Sequence, residues 1–281
     1  MALTKEHEVI KFSDGVWTIN EFNLDTVFYI EGTERGLLID TGTGVGDLKA
    51  VVDSIATKPY DIAITHGNVD HAGGVRQWDE VWVHPADFSM AEDLSIEMRK
   101  FYAFGFANIP GAKRPFAEED VTNFGRPLPK FLPLNDGHVF DLGGRKVSVI
   151  HTPGHTYGSV VFIDDKSRVL FSGDAANPCL LYDFISIGDT KYSFAPIQTG
   201  YHALLRLKER DKEFDFNFNG HIGGGKPLPD GILDDCIACM EEIMNGTAKK
   251  QTQTFPPDKV LTVATHGQVS IVYNENNIFE K

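Results

Sequence analysis

Short apolar runs separated by Asn-, Asp- and Gly-containing turns open the chain: Val16-Trp-Thr-Ile-Asn, Thr26-Val-Phe-Tyr-Ile and Gly36-Leu-Leu-Ile-Asp. Runs of this kind, rich in β-branched and aromatic residues and bounded by turn formers, predict strands. A helical pattern follows from about Val45 to Thr57. Next come a strand over Asp61-Ile-Ala-Ile-Thr that stops just before His66, a short helix, and a further strand at Val81-Trp-Val-His. After Asp136-Gly-His the scheme restarts with Val139-Phe-Asp-Leu-Gly-Gly, Lys146-Val-Ser-Val-Ile, Ser159-Val-Val-Phe-Ile and Arg168-Val-Leu-Phe-Ser. Two β-rich halves, each with helices, predict an α+β fold in which two sheets pack face to face with helices outside.

Metal-capable side chains collect where these strands end. Residues 65 to 74 read Thr-His-Gly-Asn-Val-Asp-His-Ala-Gly-Gly, which puts His66, Asn68, Asp70 and His71 directly after an apolar run. The same kind of position recurs at His155 in His-Thr-Pro-Gly-His, at Asp174 after Val-Leu-Phe-Ser-Gly, and at His221 after Phe-Asn-Phe-Asn-Gly. Imidazole and carboxylate together suit a borderline divalent cation such as Zn²⁺, and also Fe²⁺ or Mn²⁺ where oxygen ligands are numerous. The first string taken alone reads equally well as a polar turn. The three later elements, in order and each preceded by a β-rich run, favour the metal reading.

This set of residues resembles the metallo-β-lactamase superfamily, whose pattern is His-x-His-x-Asp-His, then a later His, an Asp, and a Gly-His. The resemblance spans nearly all 281 residues. It implies one domain over residues 1–281, built as a four-layer αββα sandwich of two mixed sheets, and hydrolysis by a hydroxide generated at a bound metal. It assigns His66 and His155 to one metal, Asp70, His71 and His221 to a second, and Asp174 to a bridge between them. Asn68 stands where the pattern has its second His. A neutral amide oxygen is a weaker and harder donor than imidazole nitrogen, so the first position is expected to lose affinity for zinc.

Three outcomes stay open from the sequence. The site holds one metal; it holds two, with the Asn68 oxygen as a poor ligand and a bias toward iron or manganese; or it binds metal without turnover. With one metal, His66 or His155 is released to act as general base, and with two a bridging hydroxide is the nucleophile. The candidate catalytic set is therefore Asp70, His66 and His155, and the candidate metal set His66, Asn68, Asp70, His71, His155, Asp174 and His221. The expected cofactor is Zn²⁺, in one or two copies, with Fe or Mn as alternatives.

Asp40-Thr-Gly-Thr-Gly follows the third strand and could pass for a phosphate-cradling loop, but it lacks the Gly-Lys-Ser/Thr ending and the full Gly-x-Gly-x-x-Gly spacing. It reads as a structural strand-to-helix turn. In the resembling family an Asp here supports the metal loop, which makes Asp40 a candidate partner for a ligating imidazole.

The segment from about residue 87 to residue 133 is too long for a plain connection. It opens with a helical pattern at Met90-Ala-Glu-Asp-Leu-Ser-Ile-Glu-Met-Arg-Lys and carries Phe101, Tyr102, Phe104, Phe106, Phe116, Phe124 and Phe131. Such aromatic density argues against disorder and leaves two readings. One is a satellite core or dimer contact, hence a homo-oligomer; the other is a lid that walls the metal site. A second insertion after Asp174 supplies Tyr182, Tyr192 and Tyr201 as candidates for a tyrosine near the metal, each more simply read as packing. His151 is read as a structural neighbour of the ligand loop, and His266 reaches the site only if the last strands run there.

The formal net charge of −14 argues against a nucleic-acid partner, whose binding needs a basic stripe. The first residues contain no apolar signal segment, and no run approaches the ~20 apolar residues of a membrane span, so a soluble cytoplasmic protein is expected. Cys179, Cys236 and Cys239 make no disulfide framework, and Cys236-Ile-Ala-Cys239 lies in an amphipathic helix pattern as two small buried residues. The resulting expectation is a metal-dependent hydrolase acting on a small ester, thioester, lactone or amide with an apolar portion. A β-lactam is disfavoured by the absence of an export signal, and no clear basic motif for glutathione is present. Two other classes compete: an iron-dependent oxygenase on the same scaffold, and a metal-binding protein with impaired catalysis.

Overall fold

The computed structural model describes residues 7–106, 116–123, 125–183, 194–221, 225–255 and 259–281. A seven-stranded sheet takes its strands in chain order: β1 (Glu8–Ser13), β2 (Val16–Glu21), β3 (Asp25–Glu31), β4 (Gly36–Ile39), β5 (Tyr60–Ala63), β6 (Glu80–Val83) and β7 (Lys130–Pro133). The first four pair antiparallel through tight turns, and β4 to β7 are parallel. Parallel neighbours need crossovers. These are α1 (Leu48–Ile55), α2 (Val69–Ala72), and the pair α3 (Phe88–Glu92) and α4 (Ile96–Phe106).

The second sheet holds β8 (Val139–Asp141), β9 (Lys146–His151), β10 (Val160–Asp164), β11 (Val169–Phe171) and, parallel to β11, β13 (Phe216–Phe218). Strand β12 (Cys179–Tyr182) leaves it to join β14 (Lys249–Phe255), β15 (Lys259–His266) and β16 (Val269–Tyr273) in a sheet of their own. Helices α5 (Ile197–Lys208) and α6 (Ile232–Met244) complete the chain.

Strand β3 shows why the layers stack as they do. It is covered on both faces, and its side chains alternate between two apolar layers. Val27 and Tyr29 join Leu48, Val52 and Val69 on the helix side, whereas Phe28 and Ile30 meet Phe162, Phe171 and Phe218 of the second sheet. The Phe28 and Phe171 rings lie 4.9 Å apart at the centre of this interface. Truncating any of these fully buried rings to Ala is expected to cost about 3–5 kcal/mol. The far side of the second sheet, through Val161, Ile163 and Leu170, is covered by Leu204 and Leu207 of α5 and by Cys236, Cys239 and Met240 of α6. The α+β sandwich of mixed sheets with outer helices is thus the architecture observed. The C-terminal strands differ from a simple extension of the second sheet: Ala264, Val269 and Ile271 share one apolar cluster with α6 and so belong to the outer layer.

The aromatic insertion divides its rings. Phe116 and Ala103, with Phe104 and Phe106 at the edge, form a small cluster with Leu24, Val45 and Val121, and Phe131 packs on the helix side of the first sheet. Phe101 is exposed, whereas Phe124 and residues 107–115 lie outside the described residues. Both thiols of the Cys236/Cys239 pair are buried, which pushes them up, away from thiolate chemistry. Among the described residues no helix is long and apolar enough to cross a membrane.

Candidate metal centre

The chain leaves β5 through Ile64 and Thr65, places His66 in the loop, and starts α2 at Asn68, whose carbonyl accepts from the amides of His71 at 3.1 Å and Ala72 at 2.8 Å. Asp70 and His71 therefore sit in a single helical turn, and the whole motif is buried. One carboxylate aims its imidazoles. Asp40, held at φ +66°, accepts from the Thr65 amide at 2.6 Å, from Thr65 Oγ1 at 2.9 Å and from His71 Nδ1 at 2.9 Å. With its proton given to Asp40, Thr65 Oγ1 accepts from His66 Nδ1 at 3.0 Å. Both rings thus offer Nε2 to the interior, the usual role of a partner behind a ligating imidazole. His155 is aimed the same way by the Leu181 carbonyl, which accepts from its Nδ1 at 2.8 Å.

Loops from β9–β10, β11 and β13 bring the remaining groups to the same place. Asp174 spans the centre: its Oδ2 lies 3.6 Å from His155 Nε2, and its Oδ1 lies 3.3 Å from His221 Nε2 and 3.9 Å from His71 Nε2. His71 Nε2 and His221 Nε2 are 3.2 Å apart, and Asp70 Oδ2 is 3.4 Å from the latter. Among the described residues two groups have ligand atoms within 4.8 Å of one another, His66 with His155 and Asp174, and Asp25 with His71 and His221. The His221 side chain, 27% exposed, is the most open of these and marks the solvent side.

Charge is balanced inside the cluster. Burial disfavours a charged His71, but Asp25, Asp40 and Asp70 reverse this and hold its pKa well above the ordinary value. Burial is likewise outweighed at His221, where Asp174 and Asp70 push the pKa up to about 10. Burial and the neighbouring imidazoles push His66 well down, so its inward Nε2 keeps a lone pair. Asp174, despite burial, is held well below the carboxylate range by His221, His71 and His155. The carboxylates that favour the charged form of these rings would favour a divalent cation between them in the same way. His66 Nε2, Asn68 Oδ1 and both Asp25 oxygens are buried without a hydrogen-bond partner, so this donor set fits a metal and leaves polar groups unsatisfied without one.

Residues 24–244 match the family model of the metallo-β-lactamase superfamily. The chain belongs to that superfamily. Among proteins similar in sequence, the acyl-coenzyme A thioesterase MBLAC2 of Bos taurus is 30% identical over 190 residues, covering 61% of this chain and 67% of that protein. The atrochrysone carboxyl ACP thioesterase of Aspergillus fumigatus is 29% identical over 178 residues, covering 59% of this chain but 34% of the other. Among solved structures, the sec-alkylsulfatase of Pseudomonas sp. superposes with a TM-score of 0.63 over 85% of this chain and 42% of its own, at 16% identity, a likeness of fold.

Against the superfamily pattern, the structure brings His66, Asn68, Asp70, His71, His155, Asp174 and His221 together. The departure at position 68 has a visible effect: Asn68 Nδ2 donates to His155 Nε2 at 2.6 Å. Of the tyrosines singled out in the sequence, Tyr182 and Tyr201 pack in the outer core and Tyr192 lies outside the described residues. The tyrosine at the centre is Tyr102 of α4, whose hydroxyl donates to Asp70 Oδ2 at 2.5 Å.

Two further groups escaped sequence reasoning. Asp87 accepts from the Gly67 amide at 2.9 Å, Thr156 Oγ1 at 2.7 Å and the Gly158 amide at 2.9 Å, tying the motif loop to the His155 loop. Glu21 accepts from the amides of Thr43, Gly44 and Val45, while Arg99 donates to the carbonyls of Thr43 and Gly44, both at 2.7 Å. Those amides are the groups a phosphate would need, so the glycine loop is a structural turn. His151 donates to the Tyr157 carbonyl and stacks on His84, and His266 pairs with Glu242, so neither joins the centre.

Proposed function

We propose that this hydrolase cleaves an acyl thioester, of the kind carried by coenzyme A, in a metal-dependent reaction. The observation that carries the reading is the cluster of inward imidazoles and carboxylates in a chain whose relatives bear thioesterase names. His66, His155 and Asp174 would hold one cation, with Asn68 beside it; Asp70, His71 and His221 would hold the other, with Asp174 shared. A divalent cation there supplies Lewis acidity to a water and to the substrate carbonyl.

The chain's own residues do the rest. Asp40, Thr65 and the Leu181 carbonyl keep the imidazoles aimed, so no ring must reorient during reaction. Tyr102 donates to Asp70 Oδ2, so the carboxylate that would hold the second cation keeps one orientation beside the attacking water, whose proton ends on the departing thiol. As water oxygen bonds to the carbonyl carbon, the carbon–sulfur bond breaks and the thiol leaves with a proton. Tyr102 stacks on Phe106 with ring centres 4.4 Å apart, so the group that pins Asp70 also brings an apolar wall toward the site. That wall suits an acyl chain.

The test is thiol release from acyl-coenzyme A substrates of increasing chain length, measured with a thiol reagent on protein loaded with zinc, iron or manganese. Release that stops with chelator and returns with metal is the expected result. Metal-loaded protein that releases no thiol from the whole series overturns the proposal, and oxygen consumption by the iron form would support the oxygenase instead.

A further inference from the structure

Asp25 opens β3, far in sequence from every motif residue, yet its carboxylate belongs to the centre. The residue is 1% exposed, and both of its oxygens are buried without a hydrogen-bond partner. A buried carboxylate left unsatisfied is costly, and native structures rarely keep one without a partner of some kind. One of its oxygens lies within 4.8 Å of a ring nitrogen of His71 and of His221, which themselves lie within the same distance of each other. That spacing fits nitrogen and oxygen ligands about 2.0–2.2 Å from one cation.

The surroundings are shaped for this approach. Gly220 precedes His221, and a Cβ on it would come within 2.3 Å of Asp25 Oδ1 and 2.7 Å of His71 Cε1. Only a residue without a side chain lets the carboxylate and the imidazole close on this spot. The Thr26 amide donates to the Gly220 carbonyl at 2.7 Å, so the start of β3 and the His221 loop are pinned together and Asp25 is held in place.

We propose that Asp25 is an additional metal ligand, completing with His71 and His221 the position on the solvent side of the cluster, and that it offsets the ligand lost at Asn68. The inference rests on the metal-centre reading above but not on the identity of the substrate. It assigns the tighter position of this protein to the oxygen-rich side of the cluster, where Asp25, Asp70 and Asp174 surround His71 and His221. The position next to Asn68 is the weaker one.

The experiment uses the full chain and zinc or manganese alone. Stoichiometry and affinity are measured by elemental analysis and chelator competition for the wild type and for Asp25→Asn, alongside thermal unfolding of metal-free and metal-loaded protein. Asp25→Asn is expected to lose at least about 100-fold in affinity at the tighter position, more than the loss of an outer partner produces. Its metal-free form should melt close to the metal-free wild type, because Asn keeps the side-chain shape and no hydrogen bond of Asp25 is lost, while the metal-induced rise in Tm disappears. Unchanged affinity and an unchanged rise overturn the proposal while leaving the metal centre intact. A wild type that binds neither ion overturns both.

Should Asp25→Asn fail to fold, a crystal structure of the metal-loaded wild type decides. An Asp25 oxygen at about 2.0–2.2 Å from zinc supports the assignment. A cation held by His71 and His221 with Asp25 turned away overturns it.

Discussion

Asn68 Nδ2 donates to Nε2 of His155, and this is the lone pair that a metal beside His66 and Asp174 needs. Because His155 Nδ1 is committed to the Leu181 carbonyl, the ring cannot offer its other nitrogen instead. The substitution at the second motif position therefore does more than remove a ligand: it supplies a competitor for a neighbouring one. Asn68→His removes the competitor and adds an imidazole. The variant should bind zinc at this position at least tenfold more tightly, raising the zinc content of purified protein, as elemental analysis with chelator competition will show.

Tyr102 carries the insertion's contribution to the centre. Its hydroxyl is buried and its pKa is held well above the ordinary value by burial and Asp70, so it remains a donor to that carboxylate. Tyr102→Phe keeps the stack on Phe106 and removes only the hydrogen bond. The expected cost is about 1.5–3 kcal/mol in unfolding free energy, the range for bonds to charged groups. Thioester turnover should fall about 10–100-fold, the usual effect of losing a partner behind a ligating group. Denaturant titration and steady-state kinetics on metal-loaded protein check the two parts separately; a variant equal to wild type in both would remove Tyr102 from the site.

His84 offers a pH readout away from the metal. Half-buried and stacked face to face on His151 at 4.1 Å, it is pushed down to about 4 by burial and by that neighbour. In the unfolded chain a histidine takes up its proton near pH ~6.5. Between these values the unfolded state binds the extra proton, so the stabilising contribution is complete above pH ~6.5 and lost as pH falls toward about 4. His84→Phe keeps a ring on His151 and removes the titration. Its Tm should fall less than that of the wild type between neutral pH and pH ~4.5, a comparison made by thermal unfolding in matched buffers.

The parts of this molecule that could be read from sequence are those where one local pattern carries both structure and chemistry. The run before His66 announces a strand, and the polar string after it announces a site, so position and ligand type come together. His155, Asp174 and His221 follow the same rule. Asp25 breaks it: an acidic residue after Asn23-Leu24 looks like any turn former, and its role depends on Gly220 lying across from it. Tyr102 sits in a helical pattern among many rings, and nothing in the spacing tells which ring crosses to Asp70. The Glu21–Arg99 clamp on the glycine loop is similarly a property of distant segments, since donor and acceptor lie far from each other in the chain. The separate C-terminal sheet was missed because pairing between β12 and β16 joins residues about ninety positions apart.

Asp40 aims His71 directly and His66 through Thr65, so both halves of the centre take their bearing from a single anchor. Loss of that carboxylate would therefore free the two rings together, so the orientation of the whole centre hangs on one side chain that itself touches no more than its edge.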